Sequence, residues 1–476
     1  MEIVSSEKLE IDDAYAFAEV LKRINSHAEY NRSRARYYEA HRTVQDLGIS
    51  TPPGLENIGA VIGWPATVVD ALDERLDIRG FTAPGVDLDS LGVQQIWDDN
   101  ELYREYSGAH VDSFIHGVAF IATSRGTEGE PDPLITVESP MSMSAIYDPR
   151  GRRITVAASI SRGEDGQAKA ASLYKPDSTT HLVREGSQWL IVSRDDHRIG
   201  RVLVRRLVNN PRASRHWGRS EITRDVIYLT QAAMRTLLGA EVSREFYSAP
   251  QRWIMGAKES AFEGPDGSMK SAWQTYQGRF IALTRDEDDD ASQDPKIGQF
   301  TPQPPTPYID LVKMYATMLS STTGIPATYF GFESKNPPSA DAIRAMETRH
   351  VKKASRRCTN FGPEWAGAIK DAILLRDGDV PKELAGLRTK WANPATPTVA
   401  ATADATVKIV NAFPWLKESD VALEQLGFDQ TDLDRLKHDR DRASAKLLAT
   451  ALAGVRPDED QVEATERRGS GPGNAF

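Results

Sequence analysis

Between residues 12 and 47 apolar side chains return every third or fourth position. Phe17, Val20, Leu21 and Ile24 share one stripe, and Asp12 and Asp13 favour a helix start. Thr51-Pro52-Pro53-Gly54 marks the end of that helix. Asn100 is a candidate N-cap for a second helix carrying Leu102, Tyr106, Val111, Phe114 and Ile115, with Gly117 as its stop. From 118 to 206 the pattern shortens to runs rich in Val, Ile, Thr and Tyr. Asp148-Pro149-Arg150-Gly151 separates 143–147 from 153–156, and Glu185-Gly186-Ser187 separates 179–184 from 189–193. Both are hairpin signals, and together they predict a half-exposed antiparallel sheet.

The helical period returns at Ser220, and Ile222, Val226, Leu229, Ala233, Leu237, Val242 and Phe246 line one stripe of a long helix ending near Tyr247. A mixed insert over 250–307 closes on Pro302, Pro304, Pro305 and Pro307. The next helix, 308–323, carries Ile309, Val312, Met314, Tyr315 and Leu319 and stops at Gly324-Ile325-Pro326. A loop through Gly331 and Lys335-Asn336-Pro337-Pro338 leads to Ser339, the N-cap of a long helix bearing Ile343, Met346, His350, Ala354, Cys358 and Phe361. The pattern continues through Trp365, Ile369 and Ile373, with a kink or short break expected at Gly362-Pro363. Helices are expected again over 399–410, 418–426 and 431–452. Residues 456–476, charged and then Gly/Ser-rich, read as a disordered tail. No internal repeat is present.

Composition narrows the picture. The 476 residues are 40% hydrophobic and 26% charged, an ordinary globular balance for a chain of several domains. Fifty-eight Lys and Arg against 68 Asp and Glu give a net charge of −10, which argues against a surface that grips nucleic acid. Cys358 is the one cysteine, so neither an internal disulfide nor a multi-thiolate metal site can form within one chain; it falls on an apolar stripe and reads as a small core residue. Residues 1–7 lack the basic flank and apolar core of a secretory signal, and no apolar run approaches the ~18 residues of a membrane span. The expectation is a soluble, intracellular, multidomain protein without a membrane partner.

Candidate chemistry is sparse. G-x-x-x-x-G-K-[ST], G-x-S-x-G and H-E-x-x-H are all absent, and Gly264-Pro265-Asp266-Gly267-Ser268-Met269-Lys270 has the wrong spacing for a phosphate loop. Asp286-Glu287-Asp288-Asp289-Asp290 begins like a calcium loop, but Ala291 stands where the turn needs Gly and Ile297 where a bidentate Glu is needed. No metal site is assigned there, and a solvated acidic loop is the plainer reading. His110 and His116 lack the i, i+4 spacing of a helical metal pair. Two basic clusters stand out. Arg201, Arg205, Arg206, Arg212, Arg215, Arg219 and Arg224 face a single acid, Glu221. Arg349, Lys352, Lys353 and Arg356 fall at i, i+3, i+4 and i+7, on one helix face. Each is either a solvated or subunit-facing surface or a place for transient phosphate contact. Neither has the interleaved aromatics of a single-strand binder.

The order of these elements resembles that of the portal (connector) proteins of tailed bacteriophages, particularly those of actinobacterial phages with long non-contractile tails. Val208-Asn209-Asn210-Pro211-Arg212 with Trp217-Gly218-Arg219-Ser220-Glu221-Ile222 is similar to the family's approach to its first stem helix. Gly324-Ile325-Pro326-Ala327-Thr328-Tyr329-Phe330-Gly331 and Pro338-Ser339-Ala340-Asp341-Ala342-Ile343-Arg344 resemble the segment between the second stem helix and the long helix. Ser139-Pro140, Tyr147-Asp148-Pro149-Arg150 and the stretch 404–410 add to the likeness, which extends over about 12–452.

The resemblance implies an α+β portal fold that forms a ring, usually a dodecamer, at one capsid vertex around a channel for double-stranded DNA. Residues 1–218 are then expected to form the N-terminal part of a mixed α/β wing, 219–247 and 308–323 a two-helix stem, and 248–307 a small α/β clip. Residues 324–396 make the channel loop and long wing helix, 397–457 a helical crown, and 458–476 a disordered tail. The implied partners are further copies of the chain, terminase, a head-to-tail adaptor, the major capsid protein and scaffold, in a virion assembled in host cytoplasm. No cofactor or catalysis is implied, since ATP hydrolysis belongs to the terminase. Lys335 and Asn336 are expected to approach DNA, with Arg349, Lys352, Lys353 and Arg356 a second contact. Asp286, Glu287, Asp288, Asp289 and Asp290 are expected to dock the adaptor or motor. The competing expectations are a metal-dependent hydrolase or nuclease built on that acidic run, and a general DNA-binding module.

Overall fold

The structure is a computed structural model that describes residues 8–42, 59–248, 252–255, 296–299, 304–332, 339–395, 397, 399–426, 428 and 430–453. Helix α1 (Ile11–Tyr38) opens the chain. It ends before residue 47, because Ala40 turns to φ +53° while the Glu39 and His41 N–H groups close on Ala35 and Arg36. Then come α2 (Trp64–Asp73), β1 (Ile78–Thr82), α3 (Val93–Asp99) and α4 (Leu102–His116). Asn100 is not the N-cap of α4 but the residue that ends α3. Its side chain donates to the Ile96 and Pro133 carbonyls and accepts from the Ile135 N–H, 2.7 Å. The tertiary demand of a neighbouring strand thus overrides the local capping preference. Gly117 does stop α4, with φ +104°.

Eight strands follow: β2 (Val118–Ser124), β3 (Leu134–Glu138), β4 (Met143–Asp148), β5 (Arg153–Arg162), β6 (Ala168–Tyr174), β7 (Thr179–Glu185), β8 (Gln188–Asp195) and β9 (Val204–Val208). They form two antiparallel sheets, a five-strand meander β4-β5-β6-β7-β8 and a three-strand sheet β3-β2-β9. Both expected hairpins are present, pairing Asp148 with Arg153 and Arg184 with Trp189. Phe17, Val20 and Ile24 of α1 cover Ala158, Ile160, Leu173, Leu182 and Ile191 on one face of the meander, and the other face is not left half-exposed throughout, since Met143, Ala145, Ala157 and Tyr174 are buried against the three-strand sheet. Strand β2 departs from that expectation, since all seven of its residues are buried. Its two faces enter different cores. Ala119 and Ile121 pack in the largest one with Phe114, Phe361 and Trp365, while Val118, Phe120 and Ala122 pack with Met143, Ala145 and Ile154. A continuous apolar run signals such a doubly covered strand.

Helix α5 (Arg224–Ser248) runs out to the short pair β10 (Arg252–Met255) and β11 (Lys296–Gln299), and α6 (Thr306–Thr323) returns beside it. Val226, Leu229 and Ala233 meet Val312, Ala316 and Leu319, with Trp64 and Val68 of α2 closing the base. Helix α7 (Ala340–Asp377) starts at Ser339, whose hydroxyl accepts from the Ala342 N–H, 3.2 Å, and ends at Gly378. It is one continuous helix through Pro363, so the short break, one of the two outcomes expected there, is absent. Phe361 and Trp365 are fully buried on either side of the proline, and the Gly362 carbonyl receives the Thr389 hydroxyl, 2.8 Å. Strand β12 (Arg388–Trp391) then pairs with β1, and α8 (Val399–Ala412), α9 (Asp420–Gln425) and α10 (Gln430–Ala453) complete the chain. Among the described residues no helix is long and apolar enough to cross a membrane.

Candidate functional site

The segment between β9 and α5 is fixed by backbone geometry before any charge is considered. Gly117 and Gly218 sit back to back. The Gly117 carbonyl accepts from the Asn209 N–H, 2.9 Å, and the Asn209 carbonyl from the Arg219 N–H, 2.8 Å. Gly218 has φ +68°, and a Cβ there would stand 2.3 Å from the Asn209 oxygen and 2.4 Å from the Gly117 oxygen, so only glycine fits. Two residues on, the Glu221 N–H donates to the Phe114 carbonyl, 2.8 Å.

That scaffold delivers the Glu221 carboxylate, 7% exposed, to the middle of α7. Lys353 Nζ reaches Oε2 and Arg357 Nη2 reaches Oε1, both at 2.6 Å, and Asn209 Nδ2 donates to Oε1 at 3.0 Å. Burial alone would raise this carboxyl. The charges of Lys353 and Arg357, with the hydrogen bonds of Lys353 and Asn209, outweigh burial and hold it at about 2.

Above this ion pair lies a cleft of about 400 Å³ between the start of α5, the end of α6 and one face of α7. Six cations line it, Arg219, Arg349, Lys352, Lys353, Arg356 and Arg357, against the two acids Glu221 and Asp225. The four cations expected on one helix face are therefore together, but they divide into two roles. Lys353 is committed to Glu221. Arg349 turns onto the orphan carbonyls of Ser321 and Thr322, capping the C-terminal end of α6. Lys352 and Arg356 are exposed and make no ion pair among the described residues. Lys335, Asn336 and the run Asp286, Glu287, Asp288, Asp289 and Asp290 lie outside the described residues.

The arginine-rich stretch before α5 disperses. Arg205 makes two bonds to the fully buried Asp371 of α7, at 2.6 and 2.8 Å, and Arg201 adds a third. Arg206 lies 3.3 Å over the Tyr147 ring and donates to the His216 carbonyl. Only Arg219 of that group reaches the cleft. Nearby, Arg34 is lowered to about 10, first by burial and then by Arg215 and Arg219, a sign of the local positive field.

Glu221 and Arg357 are the cleft residues that sequence reasoning passed over as such. Glu221 had one visible signal, being the single acid among seven arginines. His110 and Cys358 are packed: Trp365 Nε1 donates to His110 Nε2 at 3.0 Å, and burial pushes the Cys358 thiol up to about 11. Among the described residues no three His, Cys, Asp or Glu side chains gather as a metal site.

Comparison with known proteins gives this arrangement a context. The portal proteins of Mycobacterium phages D29 and L5 are 31% and 30% identical to the chain over 458 and 463 residues, covering 94% of it and 92% of their own length. A chain from a solved virion of a native gene transfer agent particle aligns over 84% of this chain and 99% of its own, at 14% identity and a TM-score of 0.43, too loose a likeness to carry an argument. The family described as phage portal protein, SPP1 Gp6-like, matches residues 19–444, and the chain belongs to that family.

Proposed function

We propose that the chain is one subunit of a structural ring, a dodecamer by family resemblance, set at one vertex of a phage capsid, through which double-stranded DNA is packaged and later ejected. The observation that carries this reading is the match to portal proteins along nearly the whole chain. On this reading 1–218 form the wing, 219–247 and 308–323 the stem, 248–307 the clip, 324–396 the channel loop and long wing helix, and 397–457 the crown. The family is structural, and we read this chain as non-catalytic. Nothing favours the hydrolase reading of Asp286–Asp290, and those acids serve instead to dock a basic surface on the terminase or head-to-tail adaptor. The major capsid protein and scaffold are the remaining assembly partners.

A ring subunit needs faces for its neighbours. Leu311, Met314 and Met318 form an exposed stripe along α6, between 41% and 50% accessible, which a second copy would cover. A channel for moving DNA also needs sparse positive charge, because many fixed cations would release counterions and hold the duplex. Lys335 and Asn336, with Lys352 and Arg356, supply such a contact. Negative-stain imaging of the purified protein tests the reading: rings with a central hole are expected, and a monomer with metal-dependent nuclease activity would overturn it. Lys335→Glu is expected to impair packaging or DNA retention; unchanged packaging removes Lys335 from the channel.

A further inference from the structure

We propose that the cleft between α5, α6 and α7 is a phosphate-binding site in which Arg219, Lys352 and Arg356 seat the oxygens of a phosphate group against the positive end of α5. The inference rests on the DNA-passage reading for its natural source of phosphate, but not for the chemistry of the cleft.

Six cations and two carboxylates leave a formal excess of four, and Glu221 is already consumed by Lys353 and Arg357. Arg349 is committed to the α6 carbonyls. What remains are two exposed guanidiniums, Arg219 and Arg356, and the Lys352 ammonium, with no ion-pair partner among the described residues.

Arg357 is 3% exposed, lines the cleft and leaves its Nε–H without an acceptor among the described residues. That nitrogen is sealed from solvent, so Arg357 adds to the positive field at the cleft floor and the exposed Arg219, Lys352 and Arg356 make the ligand contacts. The start of the 25-residue α5 opens there at Thr223 and Asp225; the Thr223 hydroxyl already accepts from the Val226 N–H, 3.4 Å, so the helix contributes the positive end of its dipole, partly offset by Asp225.

Two guanidiniums and an ammonium line the cleft from the segment before α5 and from α7, and a tetrahedral phosphate offers them more acceptor directions than a planar carboxylate. Bound there, a phosphate would tie α5 to α7, so occupancy should stabilise the fold by mass action.

The experiment is thermal melting of the full chain in rising inorganic phosphate at constant ionic strength, with chloride as reference. The melting temperature should rise with phosphate in the wild type. Lys352→Ala/Arg356→Ala should weaken that response roughly tenfold or more, as expected when two charge-assisted contacts are lost. Arg150→Ala, on the distant β4–β5 turn, should leave it unchanged. Arg219→Ala provides the same test if the double variant does not fold. A short duplex that competes with phosphate identifies the DNA backbone as the source. Phosphate binding without duplex competition makes the cleft a free-anion site, and ring imaging still tests DNA passage independently. No phosphate-specific shift, or an equal shift in the variants, overturns the proposal. So does loss of rings in the variants without any phosphate effect, which would assign these cations to a carboxylate on a neighbouring copy.

Discussion

Glu221 shows how one side chain can be both expensive to bury and necessary. Its carboxylate is buried, and replacing a buried ion pair by apolar groups is often harmless, but removing one partner strands the other. Glu221→Gln leaves Lys353 and Arg357 without a countercharge and is expected to destabilise the fold by about 3 kcal/mol, read from denaturant midpoints. The pH dependence has a definite sign. The carboxyl falls from an ordinary 4.5 to about 2 in the folded protein, so its contribution is full above pH 4.5 and lost as pH drops through 2. The stability gap between wild type and Glu221→Gln should therefore close over that window; a gap independent of pH would mean the carboxylate is not the stabilising species. Gly218→Ala tests the backbone beneath it. The added Cβ would strike two carbonyl oxygens, and a loss of more than about 2 kcal/mol is expected from the clash and the positive φ together.

At the scale of elements, α7 is held at three places along its length by charges from different parts of the chain. Glu347 pairs with Arg75 at 3.0 Å, Lys353 and Arg357 with Glu221, and Asp371 with Arg201 and Arg205. The first joins α7 to the segment after α2, the second to the segment just before α5, and the third to β9 and the residues leading into it. Burial decides which ion pairs matter. Asp371→Asn, at a fully buried site, is expected to cost about 3 kcal/mol, whereas Asp404→Asn should change stability by less than about 0.5 kcal/mol, because Asp404 and Lys408 are well exposed at i, i+4 on α8. Equal effects in denaturation would contradict this division. Pro363 fits the same logic. Its missing N–H weakens the helix locally, but the surrounding core of Phe361, Trp365 and Ile369 holds the axis together.

At the scale of the whole molecule, the proposed DNA channel requires that few of the 58 Lys and Arg of each subunit, net charge −10, be free to face the duplex. Three of the seven arginines clustered before α5 in the sequence are occupied inside the subunit: two on Asp371 and one over Tyr147. The exposed stripe on α6 gives a sharper test of assembly. Met314→Glu/Met318→Glu should prevent rings while leaving the melting temperature of the subunit nearly unchanged, since both side chains are about half exposed. Intact rings in that variant would exclude this stripe as an intersubunit face.

The sequence by itself determined the elements with strong periodicity: the stripe Phe17, Val20 and Ile24, the two hairpins, the paired helices α5 and α6, and the long α7 from its Ser339 cap. It also carried the family resemblance. Those are local properties, set by side-chain spacing and turn chemistry within a few residues. Three things needed the tertiary structure. Asn100 serves a strand it cannot see in sequence, β2 is covered on both faces, and Lys353 differs from Lys352 although they are adjacent on one helix. One lysine turns toward Glu221, 132 residues away along the chain, and its neighbour stays exposed. Residue spacing fixes which face of a helix a charge occupies; only packing decides whether a countercharge is already waiting there.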